Sequence, residues 1–232
     1  MMRLRGSRAS ITIALSLALA GCGGGAMGPA PPIDKATYVP PQGELMAPGP
    51  LGEVSIGKAS APVTVIEYVS LTCPHCAHFQ KAIYPRFKKE FVDTGRVRFI
   101  VREFPIGHTS GNAAIANRCA GEDKYFFLLN QFLTRQPEWV SQEVRPDPIF
   151  KVAAQVGMTR AQFDSCRENR AMINALNGIK ERGRTLGIIG TPNFFIQGKL
   201  VKAVIGIKEI REMVDPILDG RVATGATPSK AR

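Results

Sequence analysis

Thr72-Cys73-Pro74-His75-Cys76-Ala77-His78-Phe79 decides how the rest of the chain is read. Its two cysteines stand either side of a Pro-His pair. The apolar run Val63-Thr64-Val65-Ile66-Glu67-Tyr68-Val69 comes before them and predicts a buried strand. After them Phe79, Ile83, Phe87 and Phe91 recur at every fourth position, which places them on one helix face. A Cys-x-x-Cys at a strand-to-helix junction is a redox arrangement. Unpaired N–H groups and the dipole at the helix start favour a thiolate at Cys73, and Cys76, one turn in, is placed to close a disulfide.

Outward from this stretch the chain reads as α/β. Glu53 to Ile56 predicts a first strand, Val63 to Val69 the central one, Pro74 to Val92 a helix kinked at Pro85, and Arg96 to Glu103 a further strand, which makes one βαβ unit. Residues 108–186 carry no strand signal and predict a helical subdomain. Within it, Thr109-Ser110 is expected to cap one helix, and Thr159-Arg160-Ala161-Gln162 has the capping-box pattern of another. From Gly187 the framework resumes with two short strands joined at Gln197-Gly198, then a closing helix over Ile207 to Leu218. The expected parts are therefore 51–107, the insertion 108–186, and 187–220, with a frayed tail at 221–232.

The start of the chain is a different kind of sequence. Arg3, Arg5 and Arg8 precede the apolar run Ile11 to Ala20, which is too short to span a membrane comfortably. Leu19-Ala20-Gly21-Cys22 resembles the bacterial lipoprotein signal, which implies cleavage after Gly21 and lipidation of Cys22. The alternative is an ordinary secretory signal with an incidental cysteine. Either one delivers the mature chain to an oxidising compartment. Gly23 to Pro50 is rich in Gly, Pro and Ala, and is expected to be a tether reaching on the order of 80 Å. Removing three leader arginines from a net charge of +11 leaves +8. Export and the lack of a basic patch interleaved with aromatics argue against nucleic acid. The surface suits anionic headgroups or acidic proteins.

Thiolate is the nucleophile of disulfide exchange. Pro74 fits the first helical turn, where its missing N–H costs nothing, and His75 is positioned to offer a donor or a charge to Cys73. The helix dipole supplies about 0.3–1 kcal/mol, or about 2 in a partly buried site. Lowering a thiol pKa by two units takes about 2.7 kcal/mol, so other donors must contribute. A stabilised thiolate favours the reduced form and makes the disulfide a stronger oxidant. Glu67 shares the strand face of Val63, Val65 and Val69 and is expected to be buried, with a raised pKa suited to moving a proton at Cys76. The alternative is an acid paired with a neighbouring Lys or Arg.

Cys73-Pro74-His75-Cys76, the segment Gly190-Thr191-Pro192-Asn193-Phe194-Phe195-Ile196 and a helical insertion between two halves resemble the DsbA-like thiol–disulfide oxidoreductases of the thioredoxin superfamily. The resemblance covers roughly Leu51 to Gly220. It implies a thioredoxin fold with an inserted helical subdomain, Pro192 in the cis form beside Cys73, Thr191 offering its backbone to an extended substrate, and Glu67 as the buried acid. It further implies reduced exported proteins as substrates, reoxidation by a DsbB-like membrane partner, and a monomer without cofactor or metal. A threonine before the cis-proline also resembles isomerase-type relatives, so reductase or isomerase flow through the same site stays open.

Cys119 and Cys166 are expected to form a structural disulfide in an oxidising compartment, with two buried free thiols as the alternative. Metal readings are weak. Zinc takes paired ligand clusters, and a c-type haem needs His where Ala77 stands. His78 and His108 receive no role. A lipoprotein that binds metal or protein without redox turnover is the competing function of another class.

Overall fold

The computed structural model describes residues 40–220. The leader, Cys22, the first part of the tether and the tail after residue 220 lie outside the described residues.

Five strands form one sheet in the order β1-β3-β2-β4-β5. β2 (Val63–Val69) and β3 (Val97–Glu103) run parallel in the centre, in the register Val63↔Val97 to Val69↔Glu103. β1 (Val54–Ile56), β4 (Asn193–Ile196) and β5 (Lys199–Val201) pair antiparallel. β2 is apolar on both faces because both are covered, as parallel strands require. The β4–β5 turn places Gln197 and Gly198 at φ 46° and 86°, the doubly left-handed turn that matches strand twist.

The helix after the cysteines is not a plain α-helix. α2 (Pro74–His78) and α3 (Tyr84–Phe87) alternate with π turns at Phe79–Ile83 and Lys88–Val92. Pro85 has no N–H and crowds the carbonyl four residues back, and the wider π turn before it relieves both problems. The kink expected from sequence is thus distributed between two widened turns. Phe79, Phe87 and Phe91 still face the sheet, packing on one another and on Phe99 and Phe194. α10 (Ile207–Leu218) covers the same sheet face with Ile210 and Val214.

The insertion contains α4 (Gly107–Cys119), α5 (Glu122–Thr134), α6 (Gln136–Trp139), α7 (Pro146–Ala153), α8 (Arg160–Glu168) and α9 (Arg170–Thr185). The capping box at Thr159 and Gln162 forms as expected. The cap expected from Thr109-Ser110 does not. α4 begins two residues earlier, and the Ser110 hydroxyl is used elsewhere. α9 crosses the sheet at Gly183, where a Cβ would stand 2.8 Å from the Tyr68 ring.

The tether ends sooner than its composition indicates. Gln42–Met46 is a short helix, α1, and Leu45 is buried with Ile66, Tyr68, Ile100 and Phe195 on the second sheet face. Arg182 holds this segment by donating to the Glu44 and Pro48 carbonyls, and Arg118 donates to the Leu51 carbonyl. One buried leucine and two arginine clamps outweigh a Pro/Gly-rich composition.

Candidate active site

β2 ends at Val69, and Ser70 to Thr72 turn the chain so that Cys73 caps α2. The Cys73 backbone is extended (φ −77°, ψ 121°), Pro74 occupies the first turn, and the Cys73 carbonyl accepts from the Ala77 N–H at 3.1 Å. Both sulfurs are free thiols. Cys73 is 9% exposed and Cys76 fully buried, so only Cys73 can be reached from outside.

β4 brings a second turn against this one. The Thr191–Pro192 peptide is cis, and the Cys73 thiol donates to the Thr191 carbonyl at 3.1 Å. The positions that sequence placed together, Cys73, Cys76, Thr191 and Pro192, are together in space.

The Cys73 pKa falls from an ordinary 9.0 to about 5. The Cys76 thiol, donating to the Cys73 sulfur, is the largest cause; burial opposes it, and the Thr191 hydroxyl and the backbone N–H groups of Cys76 and His75 complete the set. Cys76 is driven the other way, far above the usual thiol range, by burial and by acting as that donor. The two sulfurs are therefore inequivalent: one is an anion at neutral pH and the other keeps its proton. His75 is exposed, and the donor it offers Cys73 is its backbone N–H.

Glu67 is 1% exposed, and its Oε1 has no hydrogen-bond partner. No ion pair to it occurs among the described residues, so the paired-acid alternative gains no support there. Burial and, secondarily, the Cys73 charge raise its pKa to about 8. A carboxyl of that pKa exchanges its proton near neutrality.

Two residues that hold the nucleophile's turn were not expected there: Gln136 was not singled out in the sequence, and Ser110 only as part of a helix cap. Gln136, opening α6, donates from Nε2 to the Leu71 carbonyl at 2.7 Å and to the Cys73 carbonyl at 2.9 Å. Ser110 of α4 accepts from the Leu71 N–H at 3.1 Å and bonds the Ser70 hydroxyl at 2.9 Å. Both reach in from the insertion, more than 35 residues away in sequence. Periodicity gives no sign of such contacts. Away from the site, Cys119 and Cys166 are bonded to one another, tying α4 to α8.

A mixed sheet with a covered central strand, interrupted by a helical insertion and carrying a Cys-x-x-Cys across from a cis-proline turn, defines a thioredoxin-type protein. The chain belongs to the thioredoxin family, whose model matches residues 51–216. It is 30% identical over 151 residues to a putative protein-disulfide oxidoreductase of Rickettsia conorii, covering 63% of this chain and 53% of that protein. It is 26% identical over 177 residues to disulfide bond formation protein D of Bacillus subtilis, covering 73% and 79%. The chain thus spans about half the length of the rickettsial relative. The solved structure of Wolbachia pipientis alpha-DsbA1 is similar at TM-score 0.71 and 24% identity, over 78% of this chain and 97% of that one. That likeness carries the fold, a thioredoxin sheet with a helical insertion.

Proposed function

We propose that this chain is a protein thiol–disulfide oxidoreductase that introduces disulfide bonds into exported proteins. One observation carries the reading. Cys73 has a strongly lowered pKa, borders the Thr191–Pro192 turn, and has a buried, protonated Cys76 as its donor. In the oxidised form a substrate thiolate attacks the Cys73 sulfur. The Cys73–Cys76 bond breaks, and Cys76 leaves with its electron pair and takes a proton, for which Glu67 is the nearby acid. The substrate's second thiolate then attacks its own sulfur in the mixed disulfide and expels Cys73 as a thiolate. The substrate loses two electrons and two protons, and the protein gains the electrons. In the disulfide, as in the thiolate, Cys73 has no S–H to donate to the Thr191 carbonyl, which is then free to pair with an extended polypeptide. The roles of Pro74, His75, Thr191 and Pro192 are to hold this geometry around the sulfur.

The reading includes reoxidation by a membrane partner and a lipid anchor at Cys22 on the periplasmic side of the envelope. No helix among the described residues is long and apolar enough to cross a membrane. Oxidation of a reduced two-cysteine peptide, with glutathione disulfide as terminal oxidant, tests the reaction. The chain should catalyse it and Cys73→Ser should not. Catalysis confined to insulin reduction would reverse the direction of flow. Metal or protein binding that survives Cys73→Ser, with no peptide oxidation by either protein, would point to a binding lipoprotein.

A further inference from the structure

The turn that carries Cys73 opens onto a cleft that the exchange chemistry leaves unused. Thr72, Ile106, Gly107, His108, Val140 and Gln142 line it, around a volume of about 520 Å³. Gly107 and His108 also line a second cleft of about 500 Å³ between α4 and α9. Its walls bear Arg167, Arg170 and Lys180, two asparagine amides and no carboxylate.

Those cations are poorly neutralised. Arg170 is exposed and has no carboxylate partner among the described residues. Lys180 donates to the Pro105 carbonyl at 2.7 Å and lies over the Phe104 ring, so it is held in place without losing its charge. Arg167 donates to Asn112 Oδ1 at 3.5 Å, and its one carboxylate is Asp164, at 3.6 Å, which pairs more closely with Arg160, at 2.7 Å. Glu181, the acid after Lys180, pairs with Arg184. The result is a concave basic channel that begins beside the nucleophile.

We infer that this channel takes an acidic segment of the polypeptide whose thiol reacts at Cys73. The inference rests on the thiol–disulfide reading and adds a substrate preference to it. An extended chain paired near Thr191 passes Thr72 and leads its flanking residues over Gly107. Gly107 is open here, since no atom lies within 4 Å of where its Cβ would be. Carboxylates a few residues from the reacting cysteine then meet Arg167, Arg170 and Lys180. A planar lipid surface fits the same charges less well, because they line a cleft and not a flat face.

The test uses the full chain, oxidised, with fluorescent two-cysteine peptides that differ only in Glu-Glu-Glu or Gln-Gln-Gln, placed three to six residues to either side of the cysteines. At low salt the glutamate peptide on one side should react with a kcat/KM about fivefold higher, the scale of a few exposed ion pairs acting together. The advantage should vanish near 1 M salt, where the screening length is about 3 Å. Arg170→Glu should abolish or invert the preference, and its new carboxylate lies in the first turn of α9, where it suits the helix. Arg167→Gln with Arg170→Gln should bring the ratio near one, while Lys199→Gln on β5 should leave it at the wild-type value. Equal rates for both peptides at low salt, or a preference that survives Arg170→Glu, overturn this inference alone. So does anionic-vesicle binding lost in Arg170→Glu while the peptide ratio is one. If neither peptide is oxidised, the thiol–disulfide reading fails and this inference falls with it.

Discussion

Replacing Cys76 separates the donors that stabilise the Cys73 anion. The Cys76 thiol is the largest cause of the lowered Cys73 pKa. A hydrogen bond to a charged group is worth about 1.5–3 kcal/mol. At 1.36 kcal/mol per pKa unit, losing it should raise the Cys73 pKa by about 1–2 units. Cys76→Ala should therefore move the midpoint from about 5 to between about 6 and 7. Cys76→Ser keeps an O–H donor one turn into α2 and should stay within about half a unit of the dithiol protein. The assay is the rate of iodoacetamide alkylation of Cys73 from pH 3.5 to 9, with thiolate absorbance at 240 nm as a second readout. Wild-type and Cys76→Ser midpoints near 5, with Cys76→Ala clearly above them, are the expected result. An unchanged midpoint in Cys76→Ala, or a midpoint near 9 in all three proteins, would refute the reasoning.

Three further outcomes follow from other contacts. Gln136→Leu removes both hydrogen bonds to the Cys73 turn and should cost about 2 kcal/mol in urea unfolding, with faster hydrogen exchange at the Cys73 turn. Cys119→Ala with Cys166→Ala opens a 47-residue loop and should cost about 4 kcal/mol on the loop-entropy model, measured by urea unfolding, with the Cys73 pKa unmoved. The reduced protein should show a nearly pH-independent stability between about 5 and 8 because two linked groups oppose each other. Cys73, depressed from 9.0 to about 5, adds stability that is full above the unfolded value and is lost as pH falls through 5. Glu67, raised from 4.5 to about 8, adds stability present below its unfolded value and lost as pH rises through 8. Glu67→Gln should leave the Cys73 contribution alone, so that stability climbs by up to about 1.4 kcal/mol per pH unit from 5.5 to 7.5 in urea titrations.

The parts of this molecule legible from sequence are those with local physical causes. The strand before Cys73, the apolar face of Phe79, Phe87 and Phe91, the Thr159 capping box and the Gln197-Gly198 turn each follow from periodicity or a fixed spacing. Burial of Glu67 follows from alternation along β2. What sequence concealed depends on long-range contact. Leu45 makes a helix of a segment whose composition reads as tether, because a sheet face is there to receive it. Gln136 and Ser110 act through a few long-range hydrogen bonds, which leave no trace in pattern. His75 was expected to offer Cys73 a donor or a charge from its place between the cysteines, and the donor it offers is its backbone N–H. The π turns flanking Pro85 are a compromise between a missing donor and an apolar stripe that must keep facing Phe99.

We propose that the reduced Cys73–Cys76 pair is stabilised through its anion, which makes the disulfide oxidising. Equilibrating the pair against defined glutathione mixtures at pH 7, and reading the dithiol fraction by mass after alkylation, measures this directly. A potential above about −180 mV, on the oxidising side of the glutathione pool, is the predicted result. A potential near −270 mV, as in a thioredoxin reductant, would contradict it.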